Sequence, residues 1–452
     1  MPAPRSLPPL PAAPTAVHFP AIQRDELASG LRVWSLAWSP VPVVTIALLL
    51  ESGSAQDPPD RPGLASLTAD LIDEGAAGRD AVQLSDAFAR LGTHLDLDVS
   101  PDTTLLSMTT LAKNLDPALA LLGDVLIRPH LAEPDLLRIR DLRLNRLRQL
   151  KTSAGAVAER AFLAAVFGSH PYGHGTFGTS RTLEAASLDD VRAFHQGMFR
   201  AGRATLIVAG DAQAATVAAC AHKHLGGWHL GGPDTESGIP VPAPMPPQCV
   251  MIDRPGAPQS ELRIGHLGPA RRIPEYHALV VLNAALGGQF TSRINQQLRE
   301  AKGYTYGART SFDFRRVRGS FSCDTSVQGD ATIEAIGDVL AAFDAAGSTN
   351  PIEDDELARA KGSLTRGYVR HFETAAHLVR AAIDLAKFQL PDDTFDRYVP
   401  DVGTVTGGAV LDAARRFIRP AECVAVIVGD AEKHRAALAR FERNVTELVP
   451  EF

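Results

Sequence analysis

The segment "GLASLTADLIDEG" (residues 63–75) combines an apolar stripe with a row of small and polar side chains. Four apolar residues recur at helical spacing: Leu64, Leu67, Leu71 and Ile72. This spacing predicts a helix with one buried face. Ser66, Ala69 and Asp70 share a different face, because residues three and four apart on a helix point the same way. Ser66 is a poor metal ligand and Asp70 supplies a single carboxylate, so this face predicts no metal site of its own.

A second candidate lies in "LGGQFTSRINQQLREAKGYTYGARTSF" (residues 286–312). Its pattern predicts an amphipathic helix after a Gly-Gly turn, a stop at Gly303, and then a strand with Tyr304 and Tyr306 on one face. Arg299 at the helix end and Tyr306 in the strand would then converge. Both side chains are hydrogen-bond donors that can bind carbonyl oxygens. Taken alone, a helix arginine and a strand tyrosine are more often structural or solvated.

The segment "GSAQDPPDRPGLASLTADLIDEG" resembles the pitrilysin/insulinase family of zinc peptidases, which includes the mitochondrial processing peptidases. Active members carry an inverted zinc motif, H-x-x-E-H, directly after a Gly-Leu-Ala type sequence. Aligned on "GLA", the two histidine positions fall on Ser66 and Asp70, and the catalytic glutamate falls on Ala69. The family's third ligand, a glutamate on a long helix, is expected at Asn145 or Arg146.

These substitutions remove the chemistry that the motif supplies. A catalytic zinc needs three nitrogen, sulfur or oxygen ligands and an open position for water. Ala69 has no proton to exchange, so no base is available to activate a water molecule. We therefore expect no metal and no cofactor in this chain, and we expect the zinc in a partner subunit.

The phrase "LREAKGYTY" resembles the family motif L-R-E-x-x-G-x-x-Y, with Arg299 and Tyr306 in the key positions. The resemblance implies that these two residues hydrogen-bond the substrate backbone and act in trans on the partner's site. Tyr304 is a lesser candidate for substrate contact.

The resemblance implies a heterodimer with a homologous zinc-bearing subunit, acting on a peptide or unfolded polypeptide. Such a chain would be inactive alone and would take part in metalloendopeptidase activity when paired. The alternative is a non-enzymatic structural or peptide-binding subunit of a larger complex. A homodimer with an unrelated activity has no motif to support it.

A weak internal repeat organises the chain. "ATLIVAGDA" (204–212) and "CVAVIVGDA" (423–431) are nearly the same buried-strand phrase, and each closes one half. Strands grouped around runs of helices argue against a doubly wound sheet. We expect an α+β fold of two homologous domains, each a mostly antiparallel sheet packed with helices. The resemblance implies that they form half of a clam-like chamber.

The predicted boundaries are a Pro-rich leader at 1–22, a peptidase-like domain without the zinc motif at 23–230, a linker at 231–248, and a domain with the Arg/Tyr motif at 249–452. The linker is rich in Gly, Pro and polar residues.

Composition limits the other functions. The chain has 452 residues, is 45% hydrophobic and carries a net charge of -7, which gives no case for nucleic-acid binding. Its longest apolar stretch, residues 41–50, is too short to span a membrane. The four cysteines are far apart and are expected to be core residues. A cytoplasmic location is expected for the chain as given, and a periplasmic one if a signal peptide was removed.

Overall fold

The computed structural model describes residues 16–228, 238–441, 443–448 and 451–452. Residues 1–15 of the predicted leader and 231–237 of the predicted linker lie outside this range. The described chain folds into two six-stranded sheets, each covered by helices.

The first sheet has the strand order β1-β2-β8-β3-β7-β6. Its strands are β1 (Gln23–Glu26), β2 (Arg32–Ala37), β3 (Val43–Leu50), β6 (Asp96–Val99), β7 (Thr104–Leu111) and β8 (Ala204–Gly210), and a small hairpin is formed by β4 (Gly75–Ala76) and β5 (Arg79–Asp80). The helices of this half are α1 (Leu64–Ile72), α2 (Ala81–Arg90), α3 (Leu115–Ile127), α4 (Glu133–Thr152), α5 (Ala154–Phe167), α6 (Ser180–Ala185), α7 (Leu188–Met198) and α8 (Ala214–Leu225).

The second sheet has the order β11-β12-β10-β13-β9-β14. Its strands are β9 (Gln248–Asp253), β10 (Gln259–Leu267), β11 (Thr305–Asp313), β12 (Ser320–Gln328), β13 (Val424–Gly429) and β14 (Asn444–Glu447). The helices are α9 (Tyr276–Asn283), α10 (Arg293–Asn295), α11 (Thr332–Ala346), α12 (Asp354–Thr365), α13 (Ala375–Phe388), α14 (Thr394–Thr404), α15 (Gly407–Phe417) and α16 (Ala431–Leu438). Two π-helical segments, Ala284–Gly288 and Gln296–Ala301, extend α9 and α10.

The internal repeat is visible in the strand pairing. The repeated phrases form β8 and β13, both buried along their whole length. Each pairs in parallel with the first long strand of its half, β2 or β9, and antiparallel with the next, β3 or β10. A continuous apolar strand needs cover on both faces, which explains its central position in each sheet. The α+β, two-domain fold expected from the sequence is confirmed.

The two halves exchange helices. Helix α5 of the first half packs on the second sheet, where Val157 and Phe162 share an apolar cluster with Val426. Helix α13 of the second half packs on the first sheet, where Leu378 contacts a cluster that contains Ile207. Each sheet therefore depends on a helix from the other half, which fixes the halves against each other.

Helix α12 ends at Thr365. Gly367 then takes a left-handed conformation with φ of 84°, which a continuous helix does not allow. All four cysteines are buried and free, as expected. Within the described residues, the helices are all too short or too polar to cross a membrane.

Candidate functional site

Helix α1 begins at a tightly constrained turn. Gly63, its N-cap, has φ of 96°, and a Cβ there would lie 2.7 Å from the backbone of Gly178. The buried carboxylate of Asp57 accepts hydrogen bonds from the backbone N–H groups of Gly63 (2.7 Å) and Ala65 (2.6 Å). These contacts fix the helix start, and with it the face that carries Ser66 and Asp70.

An arginine from helix α4 lies against that face. The Nε of Arg143 donates to Asp70 Oδ2 (2.7 Å), and its two Nη atoms donate to Ser66 Oγ (2.9 Å) and to the Ser66 carbonyl (2.6 Å). The Arg143 side chain is 5% exposed, whereas that of Asp70 is 43% exposed. Arg143 thus joins Ser66 and Asp70, the two positions that the resemblance aligns with the histidines of the family motif.

A neighbouring loop closes the other side of this cluster. The Ser66 hydroxyl donates to the Thr176 carbonyl (2.5 Å), and the Phe177 ring lies 5.2 Å from the Arg143 guanidinium carbon. The guanidinium is therefore held by a carboxylate, a hydroxyl, a carbonyl and an aromatic face.

This set of side chains does not fit a zinc ion. Ser66, Asp70 and Arg143 offer one carboxylate, and the fixed positive charge of Arg143 repels a dication from it. Asn145 and Arg146, which we expected at the third position, are exposed and instead contact Arg148 and Gln149. Within the described residues, no group of three or more His, Cys, Asp or Glu side chains could hold a metal.

Arg143 was missed in the sequence, although a signal was present. The buried residues of α4 are Leu136, Ile139, Arg143 and Leu147, so the arginine continues an apolar stripe at helical spacing. A charged residue in such a stripe indicates a buried partner, because an isolated buried charge is too costly.

Burial also affects Asp57. It raises the pKa of the Asp57 carboxyl to about 7, against the lowering effect of the two backbone N–H donors and of Arg143. The start of α1 therefore carries a group that titrates near neutral pH.

The second candidate site lies at the edge of the second sheet. Arg299, in the π-helical segment after α10, stacks on the Phe290 ring at 3.5 Å and pairs with Glu300 at 3.2 Å. Its buried Nη1 has no hydrogen-bond partner within the described part of the chain. Phe290 is 67% exposed, whereas the Arg299 side chain is 25% exposed, so the guanidinium is partly covered by an aromatic residue that faces solvent.

Tyr306 lies on β11, the edge strand, and is 95% exposed. The expectation that Tyr304 and Tyr306 share a face was wrong, since the pairing of β11 with β12 shifts register between Thr305 and Ala308. Such a bulge interrupts the alternation of side chains between the two faces of the strand. Tyr304 instead packs against the core of the second half.

Asn295 links the helix of Arg299 to the strand of Tyr306. Its amide oxygen accepts from the Ala308 N–H (2.8 Å), and its amide nitrogen donates to the Ala308 carbonyl (2.7 Å). Asn295 is buried and precedes Arg299 by about one helical turn. The described contacts of Arg299 and Tyr306 do not join them directly, but Asn295 fixes the segments that carry them.

The comparisons with known proteins agree with this architecture. The family model described as insulinase (peptidase family M16) matches residues 32–180, and the model described as peptidase M16 inactive domain matches residues 185–364. The chain belongs to the insulinase/pitrilysin family of peptidases.

Among its relatives is an uncharacterized zinc protease of Mycobacterium leprae, 25% identical over 83% of this chain and 85% of that protein. Subunit 1 of the mitochondrial cytochrome b-c1 complex of Bos taurus is 26% identical over 59% of this chain and 56% of its own length. A solved peptidase M16 inactive domain from Pseudomonas fluorescens has a TM-score of 0.85 and 25% identity, and the match covers 91% of this chain and 98% of that one.

Proposed function

We propose that this chain is the non-metal-binding subunit of a heterodimeric zinc peptidase, and that it contributes Arg299 and Tyr306 to the partner's site. The observation that carries the proposal is the Arg143 guanidinium between Ser66 and Asp70. A charged, hydrogen-bonded arginine at this position cannot activate water, so hydrolysis must rely on another chain.

The partner is a homologous subunit with an intact H-x-x-E-H motif, and its zinc would supply the activated water. This chain binds the substrate as an extended peptide along the exposed edge of β11, where backbone groups are available for pairing. The Tyr306 hydroxyl and the Arg299 guanidinium donate hydrogen bonds to peptide carbonyls beside the scissile bond.

The alternative is a structural or peptide-binding subunit without a part in turnover. The similarity to a subunit of the cytochrome b-c1 complex supports this alternative. Both proposals require a partner, and they differ only in what Arg299 and Tyr306 do.

Purification from the native source tests the proposal. The chain should elute with a zinc-bearing homologue, and a quenched-fluorescence peptide should be cleaved by the pair and not by this chain alone. Recovery of this chain as a monomer, with the zinc-bearing homologue equally active without it, would contradict the proposal.

A further inference from the structure

A cleft lies between the two halves of the chain, away from Arg143 and Tyr306. The volume of this cleft is about 610 Å³. Arg32 and Glu51 line it from the first half, and Arg271 and Lys387 line it from the second. Ile239, from the segment that joins the halves, completes one wall.

The lining is strongly cationic. It contains six basic side chains: Arg32, Arg203, Arg271, Arg272, Arg316 and Lys387. Among the described lining residues, Glu51 is the single carboxylate. Its two oxygens already bind Arg32 (2.5 Å) and Arg316 (2.9 Å). This triad leaves one unit of positive charge, and Arg271, Arg272 and Lys387 contribute further positive charge to the lining.

Several of these cations are held in place. The backbone N–H of Arg316 donates to Asp102 (3.1 Å), and the Arg271 guanidinium stacks on Tyr276 at 3.4 Å. Arg272 contacts the neutral side chain of Gln389 (3.3 Å). Fixed guanidinium groups around an open cleft are a preorganised receptor for oxyanions, because each presents a planar pair of donors.

We propose that this cleft binds a small oxyanion with two or more negative charges, built from phosphate or carboxylate groups. The ligand would bridge the halves, because Arg32 comes from the first half and Arg271, Arg272 and Arg316 come from the second. This inference is independent of the proposed peptidase role and needs no partner.

The full chain alone is sufficient for the test. Pyrophosphate and citrate represent the phosphate and carboxylate sources, and sodium chloride at equal ionic strength controls for screening. Calorimetric titration should show one site, and each anion that binds should raise the melting temperature with its concentration. The anion with the lower Kd identifies the source.

The double variant Arg272→Gln/Lys387→Gln should weaken binding at least tenfold while folding normally, since Arg272 is exposed and its described side-chain hydrogen bond is to the neutral Gln389. The matched control is Arg359→Gln, which removes an exposed arginine of α12 outside the cleft. Equal binding by the double variant and the control, or no binding of either anion beyond the chloride effect, would overturn the proposal.

Discussion

The Nε of Arg143 lies 2.7 Å from Asp70 Oδ2, across 73 residues of sequence, and the arginine is almost fully buried. Positive charge thus comes from a side chain beside Ser66 and Asp70, the two positions that the resemblance aligns with the histidines of the zinc motif. A guanidinium in this place ties α1 to α4, but it is not a Lewis acid and cannot activate a water molecule as a zinc ion does.

Replacement of Arg143 should destabilise the first half. Arg143→Ala removes the donor to the buried Ser66 carbonyl and to the partly exposed Asp70. Loss of the partner of a buried polar group typically costs about 1–3 kcal/mol. Urea unfolding followed by circular dichroism measures the change. Arg146→Ala, an exposed arginine on the same helix, is the control and should change stability by less than about 0.5 kcal/mol. Equal stability of the two variants would show that the Arg143 cluster is not structural.

Asp57 should make stability depend on pH. The pKa of Asp57 is about 7 in the folded protein, above its value in the unfolded chain. The folded state therefore binds this proton more tightly, and the stability that the protonated carboxyl contributes is present at acid pH and is lost as the pH rises through about 7. Asp57→Asn cannot titrate. From pH 5 to pH 8, the variant should therefore gain about 2–3 kcal/mol relative to the wild type. Denaturation at both pH values measures this difference, and a difference that stays constant with pH would refute the assignment.

Asn295 should stabilise the part of β11 that carries Tyr306. Asn295→Asp keeps an acceptor for the Ala308 N–H but loses the donor to the Ala308 carbonyl, a loss of about 1–3 kcal/mol. Hydrogen exchange over residues 305–309 should become faster. Gln296→Glu changes the neighbouring exposed amide and is the matched control. Unchanged protection in Asn295→Asp would mean that the bulge is held by other contacts.

Kinetics of the heterodimer separate the two functional proposals. Tyr306→Phe removes one hydroxyl from a fully exposed ring, so the fold should be unaffected. If the hydroxyl stabilises developing charge, kcat should fall by roughly 10²–10³. If it binds only the ground-state substrate, KM should rise at constant kcat. Arg299→Ala should act in the same direction.

Tyr398→Phe, which removes a hydroxyl of α14 in the second half, is the control for these kinetics. Gel filtration confirms that the subunits stay associated. Wild-type kcat and KM in both Tyr306→Phe and Arg299→Ala would favour the structural subunit.

The sequence predicted the features that depend on local pattern. The repeated strands, the helix at 64–72 and the helix-turn-strand order around Arg299 follow from apolar periodicity and glycine positions. The contact between Arg143 and Asp70 was not predicted, because it joins elements far apart in the chain. The position of Arg143 in the apolar stripe of α4 indicates that the side chain is buried, but it does not identify the partner. Likewise, the apolar faces of α5 and α13 do not reveal that each helix covers the other half's sheet.

The side-chain directions at Tyr304 and Tyr306 were missed for a different reason. Alternation in a strand holds only while the pairing register is regular, and here the bulge before Ala308 interrupts it. The amide of Asn295 takes part in this local arrangement, and asparagine at that position has no distinctive sequence pattern.

The zinc content of the isolated chain tests the central claim most directly. Elemental analysis after gel filtration in chelator-free buffer should find zinc far below one ion per chain, because Arg143 occupies the space between Ser66 and Asp70. One tightly bound zinc per chain, retained on dialysis, would contradict the account.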